Sequence, residues 1–336
     1  MSRYSRQLLL PQIGIDGQSR LAAGRVLLVG CGALGTVIAE QLCRAGVGFI
    51  RIADRDIVEE SNLQRQTLFD ESHALAHVPK AVAAADRLNR VNSRVAIEPH
   101  IVHVGAEEIE ALAGDVDLLL DGTDNVVTRF LMNDVATKLR KPWVYGACVG
   151  VEGRVMPILP GGPCLRCIFP EPPSAGELPT CDTVGVLASV AGLVASWQAV
   201  LAIRVLVDRP PPLRLLRLDA WDQQVRLIDV SAGKRADCPC CVQRAFTFLD
   251  HVGHRVASLC GRDAVQIRAP AHTVVNLQSL AARLTAVATV ERSQFFIKLC
   301  TPDALQLTIF PDGRAIVQGT TDLVKAQQAY DRFVGG

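Results

Sequence analysis

The 336-residue sequence has almost no net charge: 35 Lys and Arg stand against 34 Asp and Glu, which leaves +1 with neutral histidines. No long basic or acidic run disturbs that balance, so adhesion to nucleic acid or to an anionic membrane surface has no electrostatic support. The apolar core of a signal peptide is also missing from the opening Met1-Ser2-Arg3-Tyr4-Ser5-Arg6, and a cytoplasmic location is expected. An unbroken membrane-spanning run is absent as well. The most apolar stretch, Val184 to Val207, approaches the required length, but Ser189, Ser196, Gln198 and Arg204 interrupt it. Gly185 and Gly192 permit close helix packing, so a helix buried in a soluble core is expected there. At 49% hydrophobic, the chain can bury a sizeable core, and its length suits one large α/β domain plus a smaller unit.

Cysteine, by contrast, is plentiful: eleven residues. Without a secretion signal, such cysteines more often bind metal or do chemistry than form bridges. Cys164-Leu165-Arg166-Cys167 is one CxxC, and Cys238-Pro239-Cys240-Cys241 supplies another. Cys31, Cys43, Cys148, Cys260 and Cys300 lie in apolar segments and read as small buried hydrophobes.

The pattern along the chain is an alternation of strands and helices. Arg25 to Val29 reads as a buried strand, followed by the loop Gly30-Cys31-Gly32-Ala33-Leu34-Gly35 and helical spacing from Ala33 to Ala45. Phe49 to Ala53 is a second strand ending at Asp54, 19 residues beyond Gly35, where a ribose-binding acid belongs. Helices over 80–92, 106–112 and 130–140 alternate with strands over 94–101, 117–121 and 143–146. The expected fold is α/β: a Rossmann-like, doubly wound and mainly parallel sheet. The segment from Glu152 is rich in glycine and proline and reads as loop. Residues 171–180 in particular form a polar, proline-rich loop that is expected to be mobile. After the apolar helix, 213–218 and 224–230 read as an antiparallel extension. The expected division is 1–249 for the main domain and 250–336 for a small α+β domain. Strands are expected there at 264–267, 295–299, 305–310 and 315–318, a hairpin turn at Pro311-Asp312-Gly313-Arg314, and helices at 277–284 and 322–333.

The glycine loop alone fits a dinucleotide bound for hydride transfer as well as other nucleotides, because its backbone N–H groups and helix N-terminus favour any phosphate. Ser61-Asn62-Leu63-Gln64-Arg65-Gln66 points elsewhere, to polar and cationic groups that hold a triphosphate while it is attacked. With Asp54, Lys80 and Gly122-Thr123-Asp124-Asn125 following in order, the chain resembles the ThiF/MoeB/HesA family of adenylyltransferases. These activate sulfur-carrier proteins and are related to ubiquitin-activating enzymes. Arg3-Tyr4-Ser5-Arg6-Gln7, the paired CxxC motifs and Thr180-Cys181 match as well, so the resemblance covers about residues 3 to 241. It implies that ATP binds at Gly30, Gly32, Ala33 and Gly35. Around it would stand Asp54, Asp56, Ser61, Asn62, Leu63, Gln64, Arg65, Lys80, Asp124 and Asn125.

Residue by residue, the resemblance implies that Asp54 holds the ribose and that Asn62, Arg65 and Lys80 grip the phosphates. Asp124 would hold Mg²⁺, a hard cation suited to carboxylate oxygen, with Asn125 adding a hydrogen bond. Arg6 would reach the phosphates of the other subunit, which implies a homodimer. The substrate would be the C-terminal Gly-Gly carboxylate of a ubiquitin-like sulfur carrier, and the sulfur donor a cysteine desulfurase or a rhodanese-type protein. Cys181 would attack the acyl-adenylate or receive sulfur. Ala33 departs from the glycine often found at its position, and its methyl group is small enough to leave backbone donation intact.

Cys164, Cys167, Cys238 and Cys241 fit a tetrahedral, structural zinc site, and CxxC spacing favours Cys241 over Cys240 as the fourth ligand. His251 and His254 lack partners for a metal site, and His100 and His103 read as surface histidines. Gly335-Gly336 reads as a frayed end after a helix, not as a carrier tail. The tail domain is expected to recruit the carrier or the sulfur donor. Two other readings stand beside the main one: a relative that adenylates a tRNA base for dehydration, and a non-catalytic scaffold.

Overall fold

A computed structural model of the chain describes residues 3–172, 181–250, 256–258, 263–269, 273–285, 288–301 and 303–334. Residues 173–180, most of the polar loop, lie outside this set, as do His251, His254 and Gly335-Gly336. The chain divides into two compact units, Met1–Val252 and Gly253–Gly336.

The first unit is built on an eight-stranded sheet: β1 (Arg25–Val29), β2 (Phe49–Asp54), β3 (Ala96–Ile101), β4 (Leu118–Asp121), β5 (Trp143–Val149), β6 (Glu152–Ile158), β7 (Arg214–Asp219) and β8 (Gln224–Asp229). Their spatial order is β3-β2-β1-β4-β5-β6-β7-β8. The first five run parallel, and β6 to β8 add on antiparallel. Side chains alternate across the pleat, so β1 feeds two cores: Val26 and Leu28 face one, Leu27 and Val29 the other. Burial on both faces explains why the central strands read as continuous apolar runs.

The helix Ala33–Ala45 buries Leu34, Ile38 and Leu42 at intervals of four. It ends at Gly46, whose φ of +84° is left-handed and whose missing side chain makes room for the Tyr4 ring. The helix Lys80–Val91 ends one residue short of expectation. Val126–Leu139 begins a full turn before the expected Phe130. The β-branched run Val126-Val127-Thr128 hides that turn from propensity, but Asn125 caps it by accepting a hydrogen bond from the Thr128 N–H at 3.0 Å.

The expected loop from Glu152 is corrected over its first part. Residues 152–158 form β6, paired with β5 from Val149↔Glu152 to Trp143↔Ile158 around a turn at Gly150, φ +59°. Gly153 and Pro157 gave this strand the composition of a loop, yet Gly153 lies where a Cβ would meet Val194 at 2.3 Å. The apolar helix spans Ala188–Leu206 and lies along the helix Ala33–Ala45 and strands β4 to β6. It is long and apolar enough to cross a membrane by length and composition. Its inner face is packed, and buried Gln198 donates to the Asp121 carbonyl at 2.8 Å. Burial is one-sided, though: Leu193, Trp197 and Val200 on its outer face are exposed.

The second unit holds an antiparallel sheet of β9 (Val256–Ser258), β10 (Ala264–Ile267), β11 (Thr289–Arg292), β12 (Ile297–Cys300), β13 (Gln306–Ile309) and β14 (Ala315–Gln318). The helices Leu277–Leu284 and Leu323–Phe333 share one apolar cluster with it. β9 and β11 go beyond the sequence reading; they are three and four residues long, too short to show a period.

Candidate functional site

The sheet order reverses at β1, whose neighbours β2 and β4 lie on opposite sides, and crevices at such points are where open α/β sheets bind ligands. Two loops meet there. Gly30 leaves β1 at φ +87°, and a Cβ on it would come within 2.6 Å of the Gly122 carbonyl after β4. A Cβ on Gly35 would meet the Gly30 carbonyl at 2.1 Å, so the loop closes only with glycine at both ends. At Gly32 the loop is roomier: a Cβ built there would make only an ordinary contact, with Gln66 Nε2 at 3.8 Å.

Asp54 ends β2 directly beside this loop. Its Oδ2 accepts from the Cys31 N–H at 2.6 Å and its Oδ1 from the Asp56 N–H at 2.7 Å. Burial pushes its carboxyl upward, while Lys80 and those two N–H groups pull the other way. Lys80 opens the helix Lys80–Val91 and is only 4% exposed, with its Nζ 3.3 Å from Asp56 Oδ2. Charges rarely sink this far without a partner, and Asp56 is the partner that compensates Lys80 here. Arg55 donates to, or shares a proton with, His103 Nδ1 at 2.9 Å, and His100 meets Glu98 at 2.5 Å, so both histidines have local partners. Burial pushes the Cys31 thiol up, which leaves it protonated and unsuited to act as a nucleophile.

The stretch from Glu59 to Gln66 forms a short 3₁₀ turn, Glu60–Asn62, that carries the polar groups. Asn62 is buried and accepts from the Glu59 N–H at 3.0 Å. Arg65 is half-buried, with its guanidinium on the Ser61 carbonyl at 2.9 Å; Ser61 and Gln64 are exposed and Leu63 half-buried. Gln66, the last residue of the polar run, is 4% exposed.

Across the crevice, Asp124 and Asn125 are exposed in the loop between β4 and the helix Val126–Leu139. The loop is fastened from below by an ion pair that sequence did not single out: Asp121, fully buried, lies 3.0 Å from Arg129 Nε. The same guanidinium donates to the Thr123 carbonyl at 2.6 Å, and Thr123 returns N–H and hydroxyl bonds to Asp121.

Arg6 is not brought to this crevice by its own chain. It is exposed on the short helix Ser5–Leu8, whose neighbours Tyr4 and Gln7 bond Asn92 and the Ala45 carbonyl. Those partners sit at the far ends of the helices Lys80–Val91 and Ala33–Ala45, and the latter is about 20 Å long at 1.5 Å per residue. Cys181 begins a helical turn, Cys181–Val184, tied to the end of β5 through the Gly150 N–H on the Gly185 carbonyl at 2.9 Å; its side chain lies outside the described set.

The four cysteines expected to hold a metal converge. The sulfurs of Cys164, Cys167, Cys238 and Cys241 all lie within 4.8 Å of one another, with separations of 3.9, 3.6 and 3.5 Å for 164–167, 164–238 and 167–241. A tetrahedron with Zn–S bonds of about 2.3 Å has S···S edges of about 3.8 Å, so the donor set fits zinc. Cys240 lies outside this group of four but beside it: its thiol is engaged with Cys164, and Asn133 Nδ2 lies 3.2 Å from its sulfur.

The description "ThiF family" matches residues 4–240. The chain is 38% identical over 335 residues to the "Sulfur carrier protein ThiS adenylyltransferase" of Bacillus subtilis, an alignment that covers 99% of each protein. It is 39% identical over 249 residues to the "Sulfur carrier protein adenylyltransferase" of Thermus thermophilus, covering 72% of this chain and 90% of that one. Among solved structures, E. coli MccB with ATP superposes with a TM-score of 0.62 at 19% identity, over 72% of this chain and 74% of the other, a likeness of fold.

Proposed function

The chain belongs to the ThiF family, and from that premise we propose that it adenylylates the C-terminal Gly-Gly carboxylate of a ubiquitin-like sulfur carrier at the expense of ATP. The observation that carries this reading to the crevice is Lys80, a buried amine paired with Asp56 beside the glycine loop. A hydride-transfer site has no need of it. A site that must bring a carboxylate anion against a triphosphate does.

In the reaction, a carboxylate oxygen of the carrier attacks the α-phosphorus and forms a new O–P bond. The bond from that phosphorus to the β-bridging oxygen breaks, and pyrophosphate leaves with the electron pair. The N–H groups of the Gly30–Gly35 loop and Lys80 hold the phosphates in line, Asn62 and Arg65 flank them, and Asp54 faces the ribose. Asp124 and Asn125 stand across the crevice where a Mg²⁺ ion, held by the Asp124 carboxylate, would neutralise the leaving group.

Completion of the site requires a second copy. Arg6 lies a helix length from its own crevice, so it serves its partner's, and the exposed Leu193, Trp197 and Val200 supply apolar surface for a homodimer. Mixing an Arg6→Ala chain with an Asp124→Ala chain tests this. If subunits exchange, about one quarter of wild-type activity returns, because half the dimers are mixed and each has one intact site; no recovery in verified mixed dimers removes Arg6 from the site.

The reaction itself is tested by ATP–pyrophosphate exchange against a panel of Gly-Gly carriers. Exchange that depends on one carrier is expected, and its absence with every carrier would end the proposal. Cys181 then acts after adenylation: its thiolate attacks the acyl carbonyl, a C–S bond forms and AMP departs. The sulfur itself would come from a cysteine desulfurase or rhodanese-type donor. Cys181→Ala is expected to exchange normally and to form no thioester; lost exchange would give this cysteine another role. Four clustered thiolates require a reducing compartment, in line with a cytoplasmic setting.

A further inference from the structure

We propose that Gln198, on the apolar helix Ala188–Leu206, is a positioning residue of the reaction: it fixes the Asp121–Gly122 peptide, where the two crevice loops meet, and through it the placement of Asp124. The inference rests on the adenylyltransferase reading of the crevice and deepens it. By sequence, Gln198 only interrupts an apolar run. In the fold it is fully buried on a helix face whose other buried residues are Val and Ala. Its Oε1 is sealed from solvent with no hydrogen-bond partner among the described residues. The strand beside it is kept bare as well: a Cβ on Gly146, within β5, would lie 2.3 Å from the amide carbon of Gln198. Glycine inside a strand weakens it and marks a place where another group comes close. An apolar side chain in the same slot would leave no orphaned oxygen. Two local rules are thus broken at one point, which is the mark of a functional constraint.

The constraint is the parting of β4 and β5. Their ladder holds only at Leu119↔Trp143 and Leu120↔Val144, after which β4 ends at Asp121 and β5 continues to Val149. One more step of a parallel ladder would give the Asp121 carbonyl to the Gly146 N–H. Instead Gln198 Nε2 stands in the fork and donates to that carbonyl at 2.8 Å, with the Val144 carbonyl at 3.4 Å. The Gly146 N–H goes to the Asp121 carboxylate, at 3.3 Å. The far end of the Asp121–Gly122 peptide is held too: the Gly122 N–H donates at 2.8 Å to the carbonyl of Val29, the last residue before the glycine loop. Gln198 therefore sets the one peptide that lies between the phosphate loop and the loop after β4. Asp121 passes the constraint on, because its carboxylate takes the Thr123 N–H and the Arg129 guanidinium, which fasten the loop that presents Asp124. Without the Gln198 donor the fork is free to close by a ladder step, and Asp124 moves with it.

Gln198→Leu keeps most of the side-chain volume and removes the donor. ATP–pyrophosphate exchange is expected to lose kcat by about tenfold to a hundredfold, the cost of a misplaced catalytic group. It should also need more Mg²⁺ for its half-maximal rate, while KM for the carrier stays. The thermal midpoint is expected to move little, because the orphaned oxygen that disappears offsets the Asp121 carbonyl left without its donor. A second comparison separates positioning from packing, and it decides even where Gln198→Leu does not fold. Gln198→Ala combined with Gly146→Ala returns a methyl group to the emptied slot but no donor. The combined variant is expected to melt higher than Gln198→Ala alone and to exchange no better. Wild-type kcat and Mg²⁺ dependence in Gln198→Leu, or exchange that recovers with the midpoint in the combined variant, would make Gln198 a packing residue and overturn the proposal. A wild-type protein that shows no exchange with any carrier would overturn the adenylyltransferase reading itself, before any variant is compared.

Discussion

Replacing Asp124 by alanine is expected to lower ATP–pyrophosphate exchange by about three orders of magnitude or more, because it removes the only carboxylate of the β4 loop that faces the open crevice. The other acid of this segment cannot stand in for it. Asp121 is fully buried, with its Oδ2 on Arg129 and the Gly146 N–H and its Oδ1 on Thr123. For the same reasons the substitution should leave the fold intact. Asp124 is exposed, the helix after it is capped by Asn125, and the loop is fastened by the Asp121–Arg129 pair, none of which the change touches. The thermal midpoint is therefore expected to move by no more than about 2 °C. Raising Mg²⁺ should recover little of the lost rate, since a hard cation without its carboxylate is held only by phosphate and water. Exchange at the wild-type rate in Asp124→Ala would show that the metal and the leaving group are managed elsewhere. A collapse of stability would show that the residue supports the loop instead.

The central strands and the residues at their ends were legible in sequence because both depend on short-range order. β1, its glycine loop and the helix Ala33–Ala45 are contiguous, and Asp54 and Asp124 sit at the carboxyl ends of strands that the pattern already places in parallel. Their convergence follows from the handed crossovers of a doubly wound sheet. The relations that depend on packing were not legible. Nothing in the spacing of Asp56 and Lys80 says that one will neutralise the other below the surface, or that Arg129, eight residues on from Asp121, will fold back under the loop after β4. A spacing of eight on a chain that enters a helix after five is neither a strand nor a helix period. Arg6 shows the limit from the other side: its motif carries a resemblance, while the chain's own fold carries it away from the crevice. β6 was missed because Gly153 and Pro157 carry loop composition in a strand that neighbours hold from both sides.

Loss of any one thiolate of the cysteine cluster is expected to cost the first unit its integrity as well as its metal. The four sulfurs join two distant parts of the chain, the turn Leu165–Ile168 after β6 and the segment at 238–241 after β8. Other links join the same parts: Asn133 accepts from the Leu165 N–H at 2.8 Å and bonds Cys240, Arg166 reaches Thr247, and Leu165, Ile168, Phe246 and Phe248 pack into one apolar cluster. Structural zinc in small sites contributes about 10–16 kcal/mol of apparent binding energy, as large as the whole stability of a typical domain, about 5–15 kcal/mol. Purified protein is expected to carry one zinc per chain. Cys164→Ser should lose it and either fall out of solution or melt lower by at least about 10 °C. Stripping zinc from the unaltered protein with a chelator should lower the melting point likewise, and adding zinc back should restore it. The pair Cys240→Ser and Cys241→Ser identifies the fourth ligand. Cys241 lies 3.5 Å from Cys167 within the cluster, whereas Cys240 is engaged by Asn133 on the helix Val126–Leu139. Cys240→Ser should therefore keep its zinc and Cys241→Ser should not. The reverse outcome would mean that the 238–241 turn rearranges on binding metal, and zinc-free protein that melts at the same temperature would reduce the cluster to four buried thiols.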